Sequence, residues 1–242
     1  MRSALTFDDV NPSFLAYSDL KGLLVFLGKE KISASLFVIP EGLIDGPVDY
    51  ARLVQLAHKS GHEVALHGYG HARNEFGYIL PLPSPSYEKQ RELIAKGRKE
   101  LRGFLGEEPL GFRAPNYRHS AITLRALKDL GFKYDSSKTV FKPTHSLRYR
   151  VKTWTPPKIV NLNGIVEIPV TADYTLSTAA IGIDRRVQLA RKDFDWVRQI
   201  GGTFVVNNHI GIAKGFVFEF LHSLISDLRD DTEFVRLKDL IP

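Results

Sequence analysis

Apolar positions along the chain follow two rhythms. Short runs of consecutive apolar and β-branched residues read as buried strands: Ala4 to Phe7, Ala34 to Ile39, Glu63 to Leu66, Leu110 to Arg113, Phe132 to Asp135, Val166 to Val170 and Thr203 to Asn207. Between them, apolar residues three and four apart predict helices. The first starts at Phe14 and ends near Gly28; the next runs Tyr50 to Lys59 and closes at Gly61; a third, rich in charge, covers Ser86 to Phe104. Ser120 caps a fourth over Ala121 to Leu130, stopped by Gly131, and two more span Asp184 to Ile200 and Phe216 to Leu228. Glu233 to Leu240 reads as a closing strand or short helix. Strands alternating with helices imply parallel pairing, because each crossover helix returns the chain to the same edge of the sheet. The number of such units favours a barrel over an open sheet, in a single domain spanning residues 1–242.

Two segments interrupt the alternation. Asn74 to Ser86 holds Pro81, Pro83 and Pro85, and Lys138 to Lys158 is strongly basic. Both are too long and too broken by proline for plain connections, so loops over a functional face are expected there.

Composition narrows the chemistry. Apolar residues make up 43% and charged residues 25% of the 242, which fits a packed globular chain and excludes low-complexity architectures. The absence of cysteine excludes disulfides, thiolate zinc sites, iron–sulfur clusters and a cysteine nucleophile, so any metal has to be held by His, Asp or Glu. The opening MRSALTFDDV has no apolar core of a secretory signal, and no stretch is long enough to span a bilayer; a soluble, cytoplasmic chain with no membrane span is the expectation.

The formal charge of +6 is local. No acidic residue occurs from Ser136 to Val166, which carries Lys138, Lys142, Arg148, Arg150, Lys152 and Lys158. Phe141, Tyr149 and Trp154 interleave with these cations, a pattern open both to a solvated loop and to stacking on sugar rings. No nucleic-acid recognition motif accompanies the charge, so no nucleic-acid partner is expected.

Polar groups gather at the predicted strand ends, where β/α barrels assemble their active sites. Asp8 and Asp9 end the first strand; a cap for the turn at Asn11-Pro12 is the local alternative. His67 and His71 follow the third strand as HGYGH. Their i, i+4 spacing is that of zinc hydrolases, although two glycines place it on a loop rather than a helix. Arg113 ends the fourth strand in GFRAPNY, either as a surface arginine or as a guanidinium under a carboxylate, and His209 ends the strand TFVVNNH. Four polar strand ends on one rim point to a metal-assisted hydrolase.

In their order these pieces resemble the NodB-type polysaccharide deacetylase family, carbohydrate esterase family 4. Thr6 to Asp9 (TFDD) is similar to its first motif, Ser60 to His71 (SGHEVALHGYGH) to its second and GFRAPNY to its third, while LKDLGFKYDSS matches a segment of one clade. The resemblance implies a distorted (β/α)7 barrel. It also implies a divalent cation held by Asp9, His67 and His71, zinc first, with cobalt, nickel or iron(II) as alternatives. It assigns Asp8 as general base, oriented by Arg113, the Tyr117 backbone N–H to the oxyanion, and His209 as general acid.

The chain departs from the family at three places. Gly68 replaces the Ser or Thr after the first metal histidine, and Asn207 replaces the leucine two residues before His209. The fourth motif, an Asp and Trp near the acid histidine, has Asp173-Tyr174 as its best candidate, with a plain loop acid as the alternative. The expected function is hydrolysis of non-peptide carbon–nitrogen bonds, foremost N-deacetylation of an amino-sugar glycan. A small acylated amine handled as by an allantoinase, and a carbohydrate-binding barrel without turnover, are the alternatives.

Overall fold

The computed structural model describes residues 1–43, 46–72, 75–77, 83–141, 152–176, 181–212 and 215–242. The segment Lys138 to Lys158 is therefore described at its two ends, and Lys142, Arg148, Tyr149 and Arg150 lie outside the described residues, as do Asn74 and Pro81.

Parallel strands and helices alternate as expected: β1 (Arg2–Val10), α1 (Tyr17–Glu30), β2 (Ser35–Val38), α2 (Val48–Lys59), β3 (Glu63–Leu66), α3 (Tyr87–Leu105), β4 (Gly111–Phe112), α4 (Ala121–Asp129) and β5 (Tyr134–Asp135). The antiparallel strand β6 (Val160–Leu162) and β7 (Ile165–Glu167) form a hairpin, followed by β8 (Ala172–Asp173), α5 (Ile183–Gln199), β9 (Phe204–Asn208), α6 (Val217–Leu228) and β10 (Glu233–Phe234). The sheet order is β6-β7-β5-β4-β3-β2-β1-β9-β8, with β10 beside β1.

The predicted strand Val166 to Val170 is where the barrel closes. Its first part, β7, pairs with β5, and β8 pairs with β9 at the other end of the sheet. Pro169 has no N–H to give a ladder, and the run changes partner around it. Ile168 and Val170 donate to the carbonyls of Asp135 and Lys138, then Thr171 donates to Val205. The sheet's two ends thus share one run of chain, which counts as the seventh parallel stave. The hairpin before it, absent from the sequence reading, turns on Asn163-Gly164 at φ 56° and 100°, the dipeptide that favours a two-residue hairpin turn.

Ala4, Phe37, Ala65, Tyr134, Ile168, Val170 and Val205 fill the barrel interior, while a larger apolar layer packs the sheet against the helices. A side chain at Gly111 would overlap the Tyr134 ring, so β4 lends its space to that phenol, whose hydroxyl donates to Glu63 at 3.0 Å. The closing segment is both strand and helix: β10 extends the sheet, and a 3-10 turn at Leu237–Leu240 puts Leu237 into the interior at the N-terminal end of the staves. Polar groups are thereby left to the opposite rim. The first helix begins later than expected, at Tyr17, because Asn11 accepts the N–H groups of Phe14 and Leu15 in a preceding turn. Among the described residues no helix is long and apolar enough to cross a membrane.

Candidate active site

Consecutive residues of a strand face opposite sides, so a regular β1 could not point both Asp8 and Asp9 at one site. The register between β1 and β2 shifts between Phe7 and Val10, and Asp9 takes the left-handed conformation, φ 61°. Such backbone in a non-glycine residue is strained and is characteristic of functional sites. Both carboxylates reach the rim as a result.

Asp9 Oδ1 lies 3.4 Å from His67 Nε2 and 3.1 Å from His71 Nε2. His67 Nδ1 is 3.0 Å from the Arg113 carbonyl, which fixes the ring with Nε2 toward Asp9. One ligand atom from each of the three residues lies within 4.8 Å of the others, and Asp9 Oδ1 is a buried oxygen with no hydrogen-bond partner. Two imidazoles and a carboxylate with an orphaned oxygen fit a divalent cation with open coordination positions. The exposed ring of Phe14 stands 5.0 Å from that of His71 at the mouth.

The loop that carries His71 is held without a residue-68 hydroxyl. Gly68 and His71 both have positive φ, 65° and 60°. Buried Glu75 accepts the Gly70 N–H at 2.6 Å and the Tyr69 N–H at 3.2 Å. A side chain at position 68 would run into Glu75 and Pro115, so glycine there is what lets the carboxylate in. From the other side Glu41 donates its N–H to the Tyr69 carbonyl, and Asn11, two residues after Asp9, donates its amide to the Ile39 and Glu41 carbonyls. This chain of bonds joins the strand end bearing Asp9 to the loop bearing His71.

Asp8 sits in a second, drier network. Arg113 Nη1 donates to Asp8 Oδ1 at 2.7 Å, and Asn207 Nδ2 donates to Asp8 Oδ2 at 2.8 Å. Arg113 is fully buried. It also bonds Thr6, Asn207 and Ser136, and its guanidinium lies 3.9 Å from the Phe37 ring centre. Burial pushes the Asp8 carboxyl up, but the charges of Arg113, His67 and His209 outweigh it and hold the group below the usual range. The Asn207 amide has one workable orientation: its oxygen takes the Thr6 hydroxyl and Arg113, and its nitrogen faces Asp8 and the Tyr117 hydroxyl. In place of the family's leucine, this residue braces Asp8 from beneath.

On the opposite side, His209 Nδ1 is 2.6 Å from Asp173 Oδ2, and His209 Nε2 looks toward Asp9 Oδ2 at 3.7 Å and Asp8 Oδ2 at 4.0 Å. Asp173 Oδ1 accepts from Thr175, whose hydroxyl accepts the His209 N–H. Burial pulls the imidazole down, and the Asp173, Asp8 and Asp9 charges outweigh it, so the ring is pushed up to about 9. It carries a proton at neutral pH.

The structure thus brings Asp8, Asp9, His67, His71, Arg113, Asp173 and His209 together on one rim. The Tyr117 backbone N–H, expected at the oxyanion, is donated to the Ala114 carbonyl at 2.9 Å in a tight turn that holds Asn116 and Tyr117 in left-handed conformations, φ 55° and 57°. What the sequence reading missed is the supporting role of Thr6, Asn11, Glu75, Ser136 and Thr175. Thr6 stood inside TFDD and Ser136 inside LKDLGFKYDSS, and Asn11 was read only as part of a turn; Glu75 and Thr175 carried no signal.

A sequence profile described as Polysaccharide deacetylase matches residues 2–134. The chain belongs to the polysaccharide deacetylase family, and its sheet and helices are those of the NodB-type fold. Peptidoglycan deacetylase of Helicobacter pylori is 35% identical over 79 residues, 32% of this chain and 24% of that protein. The chain spans less than a quarter of the length of the curated relatives it matches. A crystal structure of a polysaccharide deacetylase-type protein from Mycobacterium smegmatis superimposes with TM-score 0.76 at 20% identity, covering 99% of this chain and 88% of that one. The Puue allantoinase does so with TM-score 0.74 at 13% identity, covering 99% and 88%. At these identities both likenesses concern the fold alone.

Proposed function

We propose that this protein is a metal-dependent N-deacetylase of amino-sugar glycans. The observation that carries the reading is the convergence of three differently prepared groups within one mouth: a triad with an orphaned carboxylate oxygen, a carboxylate held ionised by a buried arginine, and an imidazole kept protonated by an aspartate.

A divalent cation on Asp9, His67 and His71, zinc foremost, supplies Lewis acidity toward an acyl carbonyl and acidifies a neighbouring water when bound. The remaining chemistry belongs to the chain. Asp8 takes the proton of the attacking water; Arg113 and Asn207 fix both of its oxygens so that it neither rotates nor protonates early. His209 gives its Nε2 proton to the departing nitrogen, while Asp173 holds Nδ1 and stabilises the positive ring. The two groups are set on opposite charges by their surroundings, as base and acid must be. Service of the Tyr117 N–H at the oxyanion requires it to share its bond with Ala114.

The test is acetate release by chelated and zinc-reloaded protein from chito-oligosaccharides, peptidoglycan fragments and small cyclic amides. Zinc-dependent release of acetate from the glycans supports the reading. Turnover of cyclic amides alone moves the protein to the allantoinase-like alternative, and saturable glycan binding without turnover makes it a binding barrel.

A further inference from the structure

A second set of donors lies on the helix-facing flank of the sheet, where β5 and β7 run together. Tyr134 of β5 points into the interior, so the pleat turns its neighbour Asp135 to the other face of the sheet. The parallel register sets Asp135 directly against Glu167 of β7, and both residues are fully buried. Their outer oxygens are satisfied: Ser137 Oγ donates to Asp135 Oδ1 at 2.6 Å, and the Lys138 N–H donates to Glu167 Oε1 at 3.1 Å. Asp135 Oδ2 and Glu167 Oε2 are buried with no hydrogen-bond partner. Half-buried His119, in the turn before α4, sets Nδ1 3.4 Å from the Tyr117 carbonyl, and the three residues offer ligand atoms within 4.8 Å of one another.

Two adjoining carboxylates out of contact with water cannot both remain bare anions; repulsion and desolvation demand a proton or a cation between them. With no cation, burial, the Asp135 charge and the hydrogen bond that a proton makes to Asp135 push the Glu167 carboxyl up toward its protonated form, which is the alternative to a bound ion. The geometry around the pair is that of a ligand shell. Each carboxylate is oriented through its outer oxygen, and the imidazole is oriented through a backbone carbonyl, just as His67 is at the mouth.

We propose that His119, Asp135 and Glu167 form a structural site for a divalent cation of the zinc or manganese type, with solvent completing the shell on the half-exposed His119 side. Mixed nitrogen and carboxylate donors suit those ions. Binding replaces the proton on Glu167, which leaves to solvent, and ties β5 and β7 to the turn that carries Tyr117. Nothing in this inference depends on turnover or on what the mouth binds.

The experiment is calorimetric titration of the chelated, full-length protein with Zn2+, with native mass spectrometry to count ions. The expected result is two equivalents for the wild type, one for His71→Ala, one for Glu167→Gln and none for the double variant. Titration in two buffers of different ionisation enthalpy should show release of about one proton for the equivalent that Glu167→Gln removes. The Glu167→Gln exchange keeps the shape of the side chain and gives it an amide that can donate to Asp135, and His119→Ala removes a ligand at a half-exposed position. That second variant should weaken the same equivalent at least tenfold without altering the circular dichroism. A His71→Ala protein that is folded yet binds no Zn2+, or a wild type whose stoichiometry is untouched by Glu167→Gln and His119→Ala, overturns the proposal and leaves a proton shared by the two carboxyls. A failure of the mouth as a metal site gives a different pattern: one equivalent in wild type and His71→Ala, none in Glu167→Gln.

Discussion

The mouth triad and the flank cluster use the same donor types, imidazole and carboxylate, on different backbones. Asp9 and His71 are both in left-handed conformations, and their side chains keep 18% and 16% of their surface exposed. Asp135 and Glu167 stand on regular parallel strands in direct register, with no exposure at all. A site that takes two consecutive residues of one strand cannot be made from the regular pleat, which hides every second side chain under the helices. It needs a bulge and a loop bent against their own preference, and it needs other residues to hold that bend. A closed pair needs only register. The comparison predicts that the mouth is sensitive to its supports and the flank to its protons.

The largest effects belong to the mouth. Asp8→Asn should lower turnover about a thousandfold, within the range a general base contributes, while leaving zinc affinity nearly unchanged. His71→Ala should abolish both. Acetate-release kinetics beside zinc titration separate the two, and equal loss of metal in Asp8→Asn would undo the division of roles between the two aspartates.

Next comes the buried ion pair. Arg113→Met leaves Asp8 as an uncompensated charge with a broken network of Thr6, Asn207 and Ser136, and should cost about 3–5 kcal/mol in denaturant unfolding. A loss below about 1 kcal/mol, the level of an exposed pair, would mean that Asp8 finds water or a proton instead.

The loop support gives a smaller, more selective change. Glu75→Gln keeps the size of the side chain but offers one acceptor where the Tyr69 and Gly70 amides need two. Zinc affinity at the mouth should fall about 10–100-fold, the usual cost of losing a bond behind a ligand, with little change in thermal stability. Unchanged affinity would show that Glu41 and Asn11 suffice to hold the His71 loop.

What could be read from the sequence followed from locality. The HGYGH loop, TFDD and GFRAPNY each place their chemistry within a few neighbouring positions, and the alternation of strands and helices is a local rhythm, so the barrel and the candidate residues on its rim were legible. Asp173 was legible only as a candidate; its role rests on a contact with His209, 36 residues on. Glu75 was invisible because nothing in the sequence says that a carboxylate folds back over Gly68. The Asp135–Glu167 pair was invisible for a related reason: a closure around Pro169 decides which strand β7 lies beside, and only that register brings two acids face to face. The β6–β7 hairpin is a different case, since Asn163-Gly164 was a readable signal.

The last test probes the flank by pH. In cation-free protein burial and the Asp135 charge raise the Glu167 carboxyl above its ordinary value, so the folded state keeps a proton that the unfolded state has lost. The sign follows: the carboxyl's contribution to stability is fully present below the unfolded value and is lost progressively as pH rises toward the folded one. Urea unfolding of chelated wild type should therefore weaken as pH rises above about 5 more steeply than that of Glu167→Gln, which has no proton to keep. Saturating Zn2+ should flatten the wild-type slope and leave the variant as it was, because an ion on Asp135 and Glu167 takes the proton's place. A wild-type slope that zinc does not alter would assign the flank to the shared proton, and the likeness between the two clusters would then stop at the identity of their side chains.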